Sequence, residues 1–416
     1  MSSVPQDTTT CCIVGCGPAG AMLGLLLARA GVAVLVLEKH SDFFRDFRGD
    51  TIHPSTLDVL DELGLGERFA EVPQQHVGQL RALTDEGMVS LADLTGLAVA
   101  HPHIAFVPQW DFLDFLTDAA RELPHFELRM CAEVVGLLET AGRIAGVRYR
   151  AADGHREVAT TLTVAADGRH SIVRRSADLE PVAFGAPMDV LWFRLSREDG
   201  DPDATFGRFT AGHIVAMINR GDYWQVGYVI PKGSDVALRR QGIDTLRRSL
   251  ADLLPSFAGR IEREPEGWEE VKTLEVQVNR LKRWYRPGLL CIGDAAHAMS
   301  PVGGVGINLA VQDAVAAANL LARPLKEGRL EESDLARVGR RRWLPTVVTQ
   351  AFQRAVGRRV LAPTLGGGGG RTPRAVRALA RFAFLQRIPA RLLGIGVLPE
   401  HVRVGRAPTG SAREVA

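Results

Sequence analysis

The amino-acid sequence predicts an α/β protein in which a Rossmann-type domain is interleaved with a mostly antiparallel β-sheet domain and closed by C-terminal helices. Three observations predict it. Within the first forty residues an apolar strand, a glycine-rich turn, an apolar helix and a second strand follow one another. Two later apolar runs end in Asp167-Gly168 and Gly293-Asp294, where the strands of a doubly wound sheet present their loops. From about residue 181 to residue 278, apolar and polar residues alternate with a period of two. The chain divides accordingly. Residues 1–180 form the first part of the Rossmann-type domain, 181–278 the sheet domain, 279–325 its second part and 326–416 a helical region.

The first element is the most informative. Residues 10–14 form an apolar run, GCGPAG follows, then AMLGLLLARAG and a second run, VAVLVLE, that ends at Glu38. In such a G-x-G-x-x-G turn Gly15 makes the bend and Gly17 lets a pyrophosphate approach the backbone. Gly20 lets the helix pack close to the strand. Free N–H groups at the helix start, in the turn of Gly15, Gly17, Pro18, Ala19 and Gly20, then face the phosphates, aided by the helix dipole. Glu38, with Lys39 beside it, lies 23 residues after Gly15, where a carboxylate accepts ribose hydroxyls. An acid there disfavours a 2′-phosphate, so FAD and NAD remain and NADP does not.

Composition bounds the partners. The 416 residues are 46% hydrophobic and 24% charged with a formal charge of +2, which gives no field for nucleic acid. Of the 50 basic residues only Lys39, Lys232, Lys272, Lys282 and Lys326 are lysine, and the arginines are scattered among acids. Cys11, Cys12, Cys16, Cys131 and Cys291 show no metal-ligand spacing, and reduced thiols in a cytoplasmic protein account for them. No metal is expected. Glycines interrupt the run from Cys11 to Ala28 and no basic residue precedes it, so it does not read as a signal peptide. Membrane association is not expected.

Residues 161–175, TLTVAADGRHSIVRR, and 289–308, LLCIGDAAHAMSPVGGVGIN, supply two further motifs. Together with GCGPAG they resemble the single-component FAD-dependent aromatic hydroxylases, the group of para-hydroxybenzoate hydroxylase and the ubiquinone-pathway hydroxylases. That family carries GxGxxG, a DG motif and a GD motif followed by P-x-x-G-x-G-x-N. Pro301, Gly304, Gly306 and Asn308 match the last one position by position. The resemblance, over residues 11 to about 325, implies a Rossmann-type FAD-binding domain (GR2-like) holding non-covalent FAD. Asp294 would then hold a ribityl hydroxyl, the glycine loop would approach the ring, and the helix after Gly306 would aim its positive end at it. Asp167 and Gly168 would serve FAD and a nicotinamide jointly. Arg48, with Arg45 as runner-up, would contact the flavin side, and Gln109 at a helix start would lie near the ribityl chain. Backbone near Val134 would hold the adenine.

The period-two segments VLWFRLSR, TFGRFTAGHIVAMINRG, DYWQVGYVIPKG and EEVKTLEVQV would roof the flavin. Trp192, Phe193, Tyr223 and Trp224, with His53 and Met217, are the candidate substrate contacts, and no catalytic base is identified. The family's Arg and Tyr carboxylate set has no residue-by-residue match. Beyond residue 325, ESDLARVGRRRWLPTVVTQAFQRAV reads as a helix, Gly366 to Gly370 as a break, and the stretch from Thr372 as a basic amphipathic helix ending before Pro389. The resemblance implies NAD(P)H as a transient co-substrate, O2, and transfer of oxygen from a flavin C4a-hydroperoxide to a small aromatic or polyketide-like molecule. A reductase or dehydrogenase of the same fold is an alternative. A halogenase is another, although WQVGYVIP lacks the halogenase spacing and only Lys39 precedes residue 232. A third is a non-enzymatic binding protein, against which the intact GD motif argues.

Overall fold

The computed structural model describes residues 6–44, 50–367 and 382–404. Its first lobe is a parallel sheet. Gln6–Val14 lies at the centre, between Val34–Leu37 and Gly154–Ala165. Phe126–Arg129 extends the sheet on one side and Leu289–Cys291 on the other. Gly154–Ala165 also closes an antiparallel meander with Glu133–Thr140 and Arg143–Ala151. Cys11 to Val14 are all buried, as in a strand covered on both faces.

Helix Pro18–Arg29 begins with proline, which lacks the amide that would go unpaired there. It packs against Gln109–Arg121 and against the 21-residue helix Gly306–Lys326. By length and composition that last helix could cross a membrane, but most of it is buried in this core. Glu332–Val356 lies over it and matches the helix expected from the sequence.

The second lobe is a seven-stranded sheet in the order Lys272–Leu274, Met188–Ser196, Tyr223–Pro231, His213–Asn219, Phe206–Thr210, Gln79–Thr84, Gly87–Asp93. All pairs are antiparallel except Phe206–Thr210 with Gln79–Thr84. The hairpin 79–93 thus joins a sheet expected only from residues 181–278. EEVKTLEVQV contributes just Lys272–Leu274, because the chain then turns away to donate the Val276 amide to Asp189 Oδ1 at 2.9 Å. Helices Asp235–Arg240 and Ile243–Leu253, for which the alternation pattern left no place, follow the strand Tyr223–Pro231, and Leu246 and Leu250 bury against the sheet.

The last helix also departs from expectation. Ala383–Gly394 runs through Pro389 instead of ending before it. Its buried Ala390 and Leu393 pack with Ala92, Leu94 and Val305, which offsets the amide hydrogen bond that proline removes. Residues 368–381, which hold part of the expected break and the start of that helix, lie outside the described residues.

Candidate active site

Four strands of the parallel sheet end at one level: Val14 is paired with both Leu37 and Ala165, and Ala165 with Cys291. Every motif singled out from the sequence therefore emerges along one edge, the carboxyl end of the sheet. Gly15 has φ of +94°, and a Cβ there would come within 2.6 Å of the Ala166 carbonyl. A Cβ on Gly20 would overlap the Gly15 carbonyl, so the turn admits only glycine at both places. Gly17 is the residue that caps the helix start, and open space lies before it. Glu38, at the next strand end, accepts from the Cys16 amide at 2.9 Å and the His40 amide at 3.2 Å. Lys39 beside it is exposed. The Ala132 amide donates to the Glu38 carbonyl at 2.8 Å, which brings the backbone leading to buried Val134 next to that acid.

Asp167 and Gly168 follow the third strand. Asp167 Oδ2 accepts from the amides of Ile172 and Val173 at 2.8 and 3.2 Å, while Oδ1 is buried with no partner. Burial pushes the carboxyl above its ordinary range, against the pull of Ser171 and these amides. After the fourth strand, Gly293 packs against Ala19, so the Gly-Asp turn touches the first glycine turn. Asp294 is partly exposed and pairs with Arg169 at 3.2 Å. Arg174 ties the same two loops, donating to the carbonyls of Ala295 and Arg169 at 3.0 and 2.9 Å.

Below this turn lies a buried network absent from the sequence reading. Asp313 accepts from the Gly293 amide at 3.1 Å, from His297 Nε2 at 2.6 Å and from Arg342 Nε at 2.9 Å. Burial alone would raise its carboxyl, but His297 and Arg342 hold it below the ordinary value. Arg342 reaches Glu400 at 3.7 Å, and Glu400 is also held by both Arg341 nitrogens, at 2.7 and 2.8 Å.

The loop of Pro301, Gly303, Gly304 and Gly306 leads into the long helix. Thr51 Oγ1 donates to the Gly304 carbonyl at 2.7 Å. Asn308 is buried, accepting from the His53 amide at 3.0 Å and Thr56 Oγ1 at 2.7 Å. Its side chain therefore fixes the 51–56 segment under the loop and is not open to a ligand. The neighbouring Asp50 forms a buried ion pair with Arg220 and accepts from Gln225 at 2.8 Å and from the Gln109 amide. Residues 50–52 thus tie the glycine loop, the helix at Gln109 and the face of the second sheet. Arg48 and Arg45 lie outside the described residues.

A cavity of about 750 Å³ opens between that sheet face, Pro301–Gly303 and the C-terminal segments around Val356–Thr364 and Pro389–Leu393. Small residues give it depth: beside Trp192, Gly227, Ala216, Gly207 and Ala82 continue one cross-strand row. The Trp192 ring lies across Gly227, where a Cβ would meet it at 2.7 Å, and its indole N–H has no acceptor among the described residues. Val190, Val229, Ile214 and Phe209 make the next row.

The sheet's alternation sorts the expected substrate contacts. Trp192 faces the cavity. Phe193, Met217 and Trp224 do not: they point to the opposite face, into a core with Leu246, Leu250 and Phe257. Trp224 is further fixed there by its indole N–H, 2.9 Å from Asp201. Tyr223 lies on the cavity side of the sheet but beyond the cavity's end, with Arg194 stacked 4.6 Å from its ring. His53 is fully buried beneath the glycine loop rather than in the cavity wall. Its Nδ1–H donates to the Leu393 carbonyl at 2.8 Å, and burial pushes its pKa down to about 4.

Residues 7–351 match the family model of an FAD binding domain. The chain belongs to that family. This flavoprotein has the three fingerprints of the single-component FAD-dependent aromatic hydroxylases, and the residues present fit the cofactor, with open space at Gly17 and Gly306 where backbone must be approached. It is 32% identical over 386 residues to 6-methylpretetramide 4-monooxygenase of Streptomyces rimosus, covering 92% of this chain and 90% of that one. It is 30% identical over 329 residues to 12-dehydrotetracycline 5-monooxygenase/anhydrotetracycline 6-monooxygenase of the same species, spanning 73% of this chain and 60% of that longer one. The anhydrotetracycline hydroxylase OxyS, also from Streptomyces rimosus, has the same fold, with a TM-score of 0.75 and 24% identity, over 93% of this chain and 76% of that one.

Proposed function

We propose that this flavoprotein is a monooxygenase that uses NAD(P)H and O2 to hydroxylate a polycyclic aromatic molecule of the polyketide kind. The observation that carries the proposal is the cavity: about 750 Å³, walled mainly by apolar side chains, with the Pro301–Gly303 loop as part of its wall. A monocyclic benzoate would leave most of it empty. The first two relatives described above are named as monooxygenases of fused-ring compounds, which supports the same substrate class.

Bound FAD supplies the two-electron store and the oxygen-activating centre. Amides of the Gly15–Gly20 turn bind its pyrophosphate, Glu38 accepts from the adenosine ribose, and backbone near Val134 borders the adenine. Asp294 accepts from the ribityl chain, and Arg169 orients that carboxylate. The amides after Gly303 and the start of helix Gly306–Lys326 favour negative charge on the ring by roughly 0.3–2 kcal/mol. Trp192 and the valine row above exclude water, so that reducing equivalents go to substrate and not to peroxide. Among the described residues no lysine lines the cavity, and Lys232 is held by Asp189 at 2.9 Å, which disfavours the halogenase alternative.

The test is turnover with NADPH or NADH under ¹⁸O2 across a set of fused-ring phenols and quinones. A product that gains one labelled oxygen supports the reading. Substrate-independent cofactor oxidation, with no labelled product from any member, would assign the protein to the reductases.

A further inference from the structure

The charges in the cavity wall distinguish its two ends. Asp50–Gln225 and Thr51–Gly304 tie the glycine loop to the sheet face at the Gln225 end. Among the described lining residues only Asp85 and Arg359 are charged, and both belong to the other end. Asp85 sits in the turn between Gln79–Thr84 and Gly87–Asp93. Arg359 sits on the π-helical turn Gly357–Leu361. The two regions are joined, since Thr210 Oγ1 donates to Asp85 at 3.0 Å and the Gly212 amide donates to the Thr364 carbonyl at 2.8 Å.

Asp85 is already balanced, with Arg208 at 2.8 Å on its other oxygen. Arg359 has no acidic partner among the described residues. The π-turn, a local widening that recurs at functional sites, brings Arg359, Val360 and Leu361 in succession to the wall. An exposed guanidinium without an acidic partner among the described residues therefore stands at the edge of a mainly apolar cavity.

We propose that Arg359 anchors an anionic group of the substrate (an ionised 1,3-dicarbonyl enol, phenol or carboxylate) and so fixes how the fused rings lie in the cavity. The planar guanidinium fork matches two in-plane oxygens, which ionised 1,3-dicarbonyls and carboxylates both offer. The proposal rests on the cavity being the substrate site.

The experiment uses the FAD-loaded protein, anthraquinone-2-carboxylate and its methyl ester, with binding read from the visible spectrum of the flavin. Wild type is expected to bind the acid about tenfold more tightly than the ester, the worth of one charged hydrogen-bonded pair. Arg359→Met should abolish that preference while leaving ester affinity and FAD content unchanged, and Arg359→Lys should keep part of it. The preference should also shrink as salt is raised, since the mouth is exposed. Equal affinity of wild type for acid and ester, or a preference that survives in Arg359→Met, overturns the anchor. If neither probe perturbs the spectrum of a protein holding FAD, the cavity is not the substrate site and the anchor falls with it. A protein that shows the acid preference yet labels no product supports the anchor and undoes the monooxygenase reading alone.

Discussion

Removing Arg342 should uncouple the Gly293–Asp294 turn from the rest of the fold. Asp313 and Arg342 are both fully buried, and Asp313 also holds the Gly293 amide and His297. Arg342→Met keeps the volume but leaves the carboxylate with His297 alone beside it, and breaking a buried pair from one side costs up to about 3–5 kcal/mol. Asp313→Asn/Arg342→Met removes both charges, and such paired replacements are often close to neutral. The double variant should therefore melt near wild type, yet bind FAD more weakly. The Gly293 amide would give up a charged acceptor for a neutral one, costing about 1 kcal/mol, or roughly fivefold in affinity. Acidity supplies an internal check. In Arg342→Met the folded-state pKa of Asp313 rises from its depressed position, so part of the stability this carboxylate contributes above its unfolded value near 3.9 is lost, and the difference from wild type narrows as pH falls. The single variant should thus come closest to wild type in acid. Thermal unfolding of apoprotein and fluorescence titration with FAD measure the two effects separately. An Arg342→Met protein that melts with wild type at pH 7 and binds FAD equally well would refute the reasoning.

Three further outcomes are expected. Asp294→Ala should weaken FAD by about ten- to a hundredfold, the worth of a charged hydrogen bond of roughly 1.5–3 kcal/mol, as read by equilibrium dialysis; Asp167→Ala should weaken it less but also slow reduction by NAD(P)H in stopped flow. Trp192→Ala should retain FAD and its reduction, while hydrogen peroxide per NAD(P)H consumed rises; unchanged coupling would remove Trp192 from the water-excluding roof. His53, neutral in the fold with a pKa of about 4, charges more readily when unfolded, so its contribution is complete above pH 6.5 and is lost as pH falls toward 4. At pH 5 the loss is roughly 2 kcal/mol, and His53→Gln should flatten the melting-temperature profile between pH 7 and 5.

What could be read in advance was local. A strand followed by Gly15–Gly20, by Glu38, by Asp167-Gly168 or by Gly293-Asp294 is a complete signal within a few residues, and the shared strand ends then bring all four together. Alternation sends Trp192 and Phe193 to opposite faces, so the two could not both be substrate contacts, although both were expected to be. It does not say which way the cavity lies, because both faces of this sheet are apolar: one is covered by Leu246, Leu250 and Phe257, the other by the C-terminal segments. The hairpin Gln79–Asp93 alternates and carries a turn, but its parallel pairing with Phe206–Thr210 spans more than a hundred residues of chain. Arg359 was indistinguishable among so many scattered arginines until its lack of an acidic neighbour could be seen. Asp313 sat within an apolar helix whose sequence gives no sign of the Arg342 and Glu400 partners packed on it.

The second sheet takes its strands from two separated stretches, 79–93 and 188–274, and the wall facing it comes from residues near 302, 356–364 and 389–393. A recombinant made with one crossover between this chain and a relative would combine a floor from one parent with a wall from the other. The Gly212–Thr364 bond would then join surfaces that were never shaped together. Exchanging substrate preference by transplantation requires moving at least three stretches at once, while the cofactor edge that ends in Val14, Leu37, Ala165 and Cys291 stays in place as a common chassis.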